Sequence, residues 1–472
     1  MNFILITLDS LRKDHVGAYG NDWIRTPHLD QFASESVRFD KAYPESIPTL
    51  QFRAAMLTGR RVFPFNRWKP HRSSYPYIER YGLTRDLTLP GWAPIPHEDT
   101  TMAELLNDNG YRTFTVTDCL HQHYPGMNYH RGYQSWNFVR GQEWDCWKTD
   151  LLNDNRPEIS RFFTGKTDMN HPKVWEIERN VMNTAFRESE EDYFAPQVFR
   201  IATQWLEANY RCDKLFMTVD SFDPHEPWDP PQYYRDLYYP GYKGKEVIMP
   251  IYTNNGSGYL SDDELKYMRA CYAAEVTMVD TWFGHFMNKI KLTGLDKKSV
   301  IVVVSDHGHQ LGEKNYTGKV PQGLLPCLTD IVFMIRHPDG VGAGNAVDSF
   351  VYNHDIMPTI CKMMDIDIPD WCEGEDIWPI VTGEKDKVRD HATTIFKDFV
   401  WARDETYAMI SKTDKTLTEL FNIKDDPDCL ENIAQGNETI IQRLWGYLEQ
   451  DAGGEIPVID VSFPMVDVKK EV

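Results

Sequence analysis

No stretch of this sequence holds the roughly 18 consecutive apolar residues that a membrane-spanning helix needs, so no helical anchor is expected. The apolar run at the start, Phe3 to Leu8, is too short for a secretory leader and lacks its basic flank. It reads instead as a buried strand. Paired cysteines are also missing. The eight cysteines are scattered and no CxxC occurs, which argues against a zinc knuckle and a disulfide framework. A reducing cytoplasm is the expected setting. Positive charge is scarce: 50 Lys and Arg stand against 71 Asp and Glu, a net charge of −21. That excludes a nucleic-acid-binding surface without a large local basic patch. It does not exclude a small anionic substrate, which meets only the local field of a pocket. There is no internal repeat and no low-complexity segment.

What is present is ample. The 472 residues are 41% apolar and 13% aromatic, enough for a sizeable core and for two or three domains. Phe3 to Leu8 ends in Asp9, where a parallel α/β sheet would place chemistry; a loop acid or a helix cap is the plain alternative. Residues 26–39 predict one amphipathic helix beginning near Pro27. In Ser46–Arg61, Thr49 stands at a helix start with Arg53 one turn on. A helix N-terminus suits an anionic group under attack, but Thr is equally a common N-cap. Residues 62–97, rich in Pro, Arg and aromatics, read as a lobe or lid, with local positive charge at Arg67, Lys69, His71 and Arg72.

A helix from about residue 100 leads to a strand over 111–116, followed by Asp118, His121 and His123. His121 is the better substrate-binding candidate, or else a polar loop residue. Residues 126–195 show no periodicity and read as an insertion. A helix over 197–208 and a strand over 215–219 lead to Asp220, Asp223, His225 and Glu226 in a proline-rich loop. These side chains suit metal ligation, or the prolines simply pin a surface loop. After a long helix over 262–291 comes Val300 to Val304, the most buried-strand-like run, and then Asp306-His307-Gly308-His309. A carboxylate and an imidazole together at a strand end are a metal-ligand pattern. Lys314 and Lys319 either neutralise a bound anion or are surface charges. Residues 331–335 predict another strand, and a helix starts near Pro358. Beyond Trp378 short strands and a helix over 438–450 predict a smaller α+β domain.

The strings ILITLDSLRKDHVGAYG, TLQFRAAMLTGR, FDPHEPWDPP, VVVSDHGHQLGEKNYTGK, HDIMPT and ELFNIKDDPDCLENIA, in this order, resemble the sulfatase family of the alkaline phosphatase superfamily. The resemblance implies a large α/β domain with a mixed, mostly parallel sheet flanked by helices, followed by a smaller domain with an antiparallel sheet. We expect the first over residues 1–378, with insertions at about 62–97 and 126–195, and the second over 379–472. It further implies that Asp9, Asp306 and His307 hold a divalent metal (Mn, Ca, Mg or Zn) with Thr49 against it. Arg53 would stabilise Thr49, and Lys319 would bind the oxygens of the transferred group. His225 would contact substrate and protonate the leaving group, and His121 would lie in the same shell.

Three departures qualify this. Family sulfatases carry Cys or Ser, oxidised to formylglycine, where Thr49 stands; threonine has a β-methyl group and cannot give an aldehyde. A second register over Ser46-Ile47-Pro48 puts Leu50 at the arginine position and spoils the spacing to Thr58-Gly59-Arg60. The paired acids after the first strand are Asp9-Ser10, and the Lys-x-His of the family becomes Asp118-Cys119-Leu120-His121, an anion for a cation. The expectation is therefore a metal-dependent hydrolase of phosphate, phosphonate or sulfate esters with Thr49 as nucleophile, resembling the threonine-dependent phosphodiesterases of the superfamily. A sulfuric ester hydrolase working without formylglycine, a phosphoryl transferase and a degenerate binding protein are the alternatives. The partner is a small anionic ester; homo-oligomerisation is left open.

Overall fold

The computed structural model describes residues 1–69, 71–72, 86–87, 89–148 and 158–460. At its centre are β1 (Asn2–Leu8), β2 (Val37–Tyr43), β3 (Arg112–Thr117), β4 (Ser135–Phe138), β5 (Leu215–Ser221), β6 (Ser299–Ser305), β7 (Phe333–Arg336) and β8 (Ala346–Tyr352). They form one eight-stranded sheet in the order β8-β2-β7-β6-β1-β5-β3-β4. All neighbours are parallel except those of β7, which runs antiparallel to both β2 and β6. Every residue of β1, β5 and β6 is buried, which is why these strands read as unbroken apolar runs.

Successive side chains in these strands point to opposite faces. Phe3, Leu5, Val300, Val302 and Val304 enter one apolar core; Ile4, Ile6, Leu8, Ile301 and Val303 enter the other. The longer helices are α1 (Pro27–Ser34), α2 (Thr49–Thr58), α3 (Met102–Asp108), α4 (Pro172–Thr184), α5 (Phe194–Asn209), α6 (Asp262–Leu292), α7 (Ile356–Met363) and α8 (Glu438–Asp451). Both α5 and α6 pack into the second core. The long α6 starts from a capping box made by Ser261 and Glu264. Among the described residues no helix is long and apolar enough to cross a membrane.

The chain beyond α7 forms β9 (Ala392–Phe396), β10 (Phe399–Arg403), β11 (Tyr407–Lys412) and β12 (Thr418–Asn422), an antiparallel meander. Leu444 and Leu448 of α8 pack on Ile395, Val400, Met409 and Leu420. The expected fold class, a mixed and mostly parallel sheet plus a smaller antiparallel domain, is therefore present.

Several local expectations change. The helix expected over 26–39 stops at Ser34, and Val37–Tyr43 is strand β2, ordered by pairing with the distant β7 and β8. The aperiodic stretch 126–195 supplies the edge strand β4 and helix α4. TTIFKDFVWA is a hairpin of two strands turning at Lys397-Asp398. In the 62–97 segment Phe63 and Phe65 pack into the C-terminal core, while Leu89, Trp92 and Ile95 join the first core of the large sheet. The middle of that segment (70, 73–85 and 88), with the side chains of His71 and Arg72, lies outside the described residues, as do 149–157 and 461–472.

Candidate active site

Strands β1 and β6 are adjacent and parallel, with Leu8 opposite Ser305. The residues that follow, Asp9 and Asp306-His307, therefore emerge side by side at the carboxyl edge of the sheet. The ligand atoms of Asp9, Asp306 and His307 lie within 4.8 Å of one another, and all three residues are buried. The Ser10 and His307 N–H groups each donate to Asp306 Oδ1 at 2.8 Å. Ser10 Oγ donates to Asp9 Oδ1 at 2.9 Å. Ser10 adopts φ 58, a left-handed conformation rare for a residue with a side chain. It stands where a second acid would follow Asp9, and its hydroxyl is spent on its neighbour.

His307 Nδ1 lies 2.8 Å from the Gly308 carbonyl, so Nδ1 carries the hydrogen and Nε2 is bare. Gly308 allows this turn: a Cβ there would sit 1.9 Å from the Cys327 carbonyl oxygen. Burial pushes the His307 imidazole down to about 4, keeping it neutral. Burial, and then the charge of Asp306, pushes the Asp9 carboxyl well up from the usual range.

Thr49 is the first residue of α2 and is buried. Pro48 occupies the N-cap and no side chain caps the helix, so the plain reading of Thr49 as a capping residue does not hold. The first N–H groups of a helix have no acceptor within it and favour an anion. Four residues on, the fully buried Arg53 ties the site together. Its Nε and Nη2 grip Asp220 at 2.8 and 2.7 Å in a bidentate pair. Its Nη1 donates to the Thr49 carbonyl at 3.1 Å and to Asp306 Oδ2 at 2.8 Å, and lies 3.1 Å from Asp9 Oδ2. Gln122 Nε2 also donates to Asp220, at 2.8 Å.

Three carboxyl groups crowd one buried guanidinium, so the cluster must either carry excess negative charge or keep a proton on Asp9. His307 Nε2 is buried without a hydrogen-bond partner, and Asp9 Oδ2 has only its ion pair with Arg53. Such under-satisfied atoms are costly unless something fills the gap between them. Hard carboxylate oxygens and one bare imidazole nitrogen around crowded, under-compensated acids fit a divalent cation. Among the described residues no other three His, Cys, Asp or Glu side chains converge in this way.

A second group holds His225, Lys319 and Glu226, all buried. Lys319 Nζ lies 2.8 Å from His225 Nε2 and 3.1 Å from Glu226 Oε2. Burial pushes the His225 imidazole well down. It opposes ionisation of Glu226 too, but His225 and Lys319 outweigh it and hold that carboxyl well below the carboxylate range. His121 lies 3.3 Å from Glu143, and its ring packs 5.9 Å from Phe222, which stacks on His225 at 4.0 Å.

The strand-end acids of the proline-rich loop thus divide their work: Asp220 holds Arg53, Glu226 holds Lys319, and Asp223 accepts from Gln142 and the Ala195 N–H. Lys314 is remote from this group; its Nζ donates to the Cys429 carbonyl in the C-terminal domain. Asp118 turns away as well, accepting from the Phe222 N–H at 2.7 Å. Burial pushes the Cys119 thiol well up, and the charges of Arg53 and Asp220 act on it as well. Counted back from His121, the lysine of Lys-x-His falls on Cys119, so a thiol stands there and the acid lies one residue earlier. Sequence reasoning gave no role to Gln122, Gln142 or Cys119, and no motif marks them.

Comparison with known proteins gives the family. The sulfatase family model matches residues 1–366, and a model for the C-terminal part of N-sulphoglucosamine sulphohydrolase matches 329–452. An arylsulfatase of Clostridium perfringens is 24% identical, across 93% of this chain and 91% of its own length. A multifunctional alkaline phosphatase superfamily protein of Trinickia caryophylli is also 24% identical, across 92% and 91%. The solved phosphonate monoester hydrolase of Agrobacterium radiobacter shares the fold with a TM-score of 0.70 at 19% identity, covering 95% of this chain and 94% of its own. The chain belongs to the sulfatase family and is an ester hydrolase of the alkaline phosphatase superfamily.

Proposed function

We propose that the protein is a metal-dependent hydrolase with Thr49 as its nucleophile, acting on phosphate, phosphonate or sulfate esters and best suited to those of phosphorus. The observation that carries this is the reach of Arg53, whose Nη1 joins the Thr49 carbonyl to Asp306 and approaches Asp9, beside the bare Nε2 of His307. Asp9, Asp306, His307 and Thr49 would hold the ion, whose identity among Mn, Ca, Mg and Zn is open. When bound, a divalent cation lowers the pKa of a hydroxyl and acts as a Lewis acid on the ester.

The chain's own groups account for the remainder. Ionised Thr49 Oγ attacks the central atom in line and forms a covalent ester. Lys319 and the N-terminus of α2 stabilise charge on the equatorial oxygens. Arg53 keeps Thr49 and the two acids in one frame. His121, whose ring packs against Phe222, would lie at the leaving-group end. A formylglycine adduct would release its ester by collapse of a hydrated aldehyde; a threonine ester must be hydrolysed directly, as phosphoryl-enzyme esters are. This favours phosphorus over sulfur, and the names of the relatives include both classes.

The test is a panel of bis-aryl phosphate, aryl phosphonate and aryl sulfate esters offered to the protein with and without each cation. We expect cation-dependent turnover, fastest on a phosphorus ester. A preference for the sulfate ester would favour the sulfatase alternative, and no turnover with any ion would favour a binding protein.

A further inference from the structure

Asp220 stands where the sheet would accept an apolar side chain. It lies near the carboxyl end of β5, between β1 and β3, with Thr7 and Thr117 opposite it. Side chains alternate along a strand. Met217 and Val219 enter the second core, so Phe216, Thr218 and Asp220 point to the first, the side on which Leu50, Phe52 and Met56 of α2 are packed. The Asp220 side chain is buried there, and a buried carboxylate is costly unless it is paired. Its partner is Arg53, itself fully buried, which takes both carboxylate oxygens through Nε and Nη2 at 2.8 and 2.7 Å. Gln122 Nε2 donates at 2.8 Å to the same oxygen that Nε takes, and so braces the carboxylate from a third direction.

Replacing a buried ion pair by well-packed apolar side chains is often neutral or stabilising. The fold alone therefore does not account for this pair; its position does. The other end of the same guanidinium, Nη1, lies 2.8 Å from Asp306 Oδ2 and 3.1 Å from Asp9 Oδ2, the acids that would hold the divalent cation. A guanidinium is charged at every working pH. Alone with those two acids it would cancel part of their charge and repel a cation held between them, and such forces are strong at a few ångströms in a dry interior. Asp220 supplies the compensating charge from the far edge. Its bidentate contact also fixes the plane of the guanidinium. Nη1 then faces the two acids and the Thr49 carbonyl, 3.1 Å away. Asp220 is not one of the three residues whose ligand atoms converge.

We propose that Asp220 is a positioning residue of the metal centre, one that sets the strength of cation binding without being a ligand. It offsets the charge of Arg53 and holds its plane, and so allows Asp9 and Asp306 to keep a cation beside a buried guanidinium. This rests on the reading that Asp9, Asp306 and His307 hold the cation. Gln122 supports the same arrangement one contact further out.

The test is calorimetric titration of the metal-free protein with Mn, Ca, Mg and Zn singly, the variants being compared on the ion that the parent binds most tightly. Asp220→Glu keeps the charge, and its Kd should stay close to that of the parent. Asp220→Asn keeps the size and loses the charge, and its Kd should rise about 10–100-fold, as when a residue that orients metal ligands is lost. Combining Asp220→Asn with Arg53→Gln removes both charges, and the Kd should return towards that of the parent even though turnover is lost. The double variant also serves if Asp220→Asn alone does not fold, because charge compensation predicts near-parental binding for it and a purely structural role predicts loss. An unchanged Kd in Asp220→Asn, an Asp220→Glu protein as weak as Asp220→Asn, or a double variant that binds far more weakly than the parent would overturn the proposal. Failure of the parent to bind any of the four ions would instead overturn the metal assignment on which it rests.

Discussion

Replacing Asp9 with asparagine should reverse its effect on stability according to whether a divalent cation is bound. Without the cation, Asp9, Asp306 and Asp220 crowd one guanidinium, and Asp9 Oδ2 has only a 3.1 Å ion pair with Arg53 and no well-directed hydrogen bond. An unsatisfied buried polar group costs ~1–3 kcal/mol. Asp9→Asn removes the need to hold a charge or a proton there and retains an oxygen for the Ser10 hydroxyl, so in chelator the variant should be at least as stable as the parent. With the cation the order should invert. A ligand bound only by the folded state stabilises it by about 2.7 kcal/mol at one hundred times its Kd. The parent should gain this; the variant, lacking one of three donors, should gain little. The assay is thermal unfolding in chelator and then with Mn, Ca, Mg or Zn singly. Equal stabilisation of parent and variant, or none in the parent with any ion, would refute the assignment of Asp9 and the charge argument behind it.

Other predictions follow from single contacts. Arg53→Lys loses the bidentate grip on Asp220 and should reduce turnover at least about 100-fold while thermal stabilisation by the cation persists. Gly308→Ala places a Cβ against the Cys327 carbonyl and should destabilise the protein by about 2–3 kcal/mol, read from denaturant unfolding. Asp451 joins α8 to β9 and to Arg61: burial opposes its ionisation, but the hydrogen bond from His391 and the charge of Arg61 outweigh it and hold its carboxyl below the usual range. A depressed carboxyl stabilises above its unfolded pKa of about 4 and loses that contribution as pH falls. Asp451→Asn should therefore cost about 2 kcal/mol at neutral pH, and the gap to the parent should narrow below about pH 4.

The sequence made the site legible where burial simplified it. β1 and β6 are covered on both faces, so each is an unbroken apolar run, and the first polar residues after them, Asp9 and Asp306-His307, mark the carboxyl edge. Thr49 and Arg53 were legible as one turn of helix. What stayed hidden depends on contacts between distant segments. β2 has a mixed pattern and is a strand only because β7 and β8 flank it, so its first residues read as a helix tail. Asp220, Asp223 and Glu226 are close neighbours in sequence, yet they serve Arg53, Gln142 and Lys319, three partners that no local pattern distinguishes. The same holds for His225, whose tautomer is set by a backbone carbonyl and by a lysine 94 positions away.

The central claim is that Thr49 forms the covalent ester, and Thr49→Ala tests it most directly. With bound cation and thermal stability matched to the parent, its turnover of the preferred aryl ester should fall by about 10,000-fold or more, as when a nucleophile is removed. Undiminished turnover in a metal-loaded, folded Thr49→Ala protein would contradict the account.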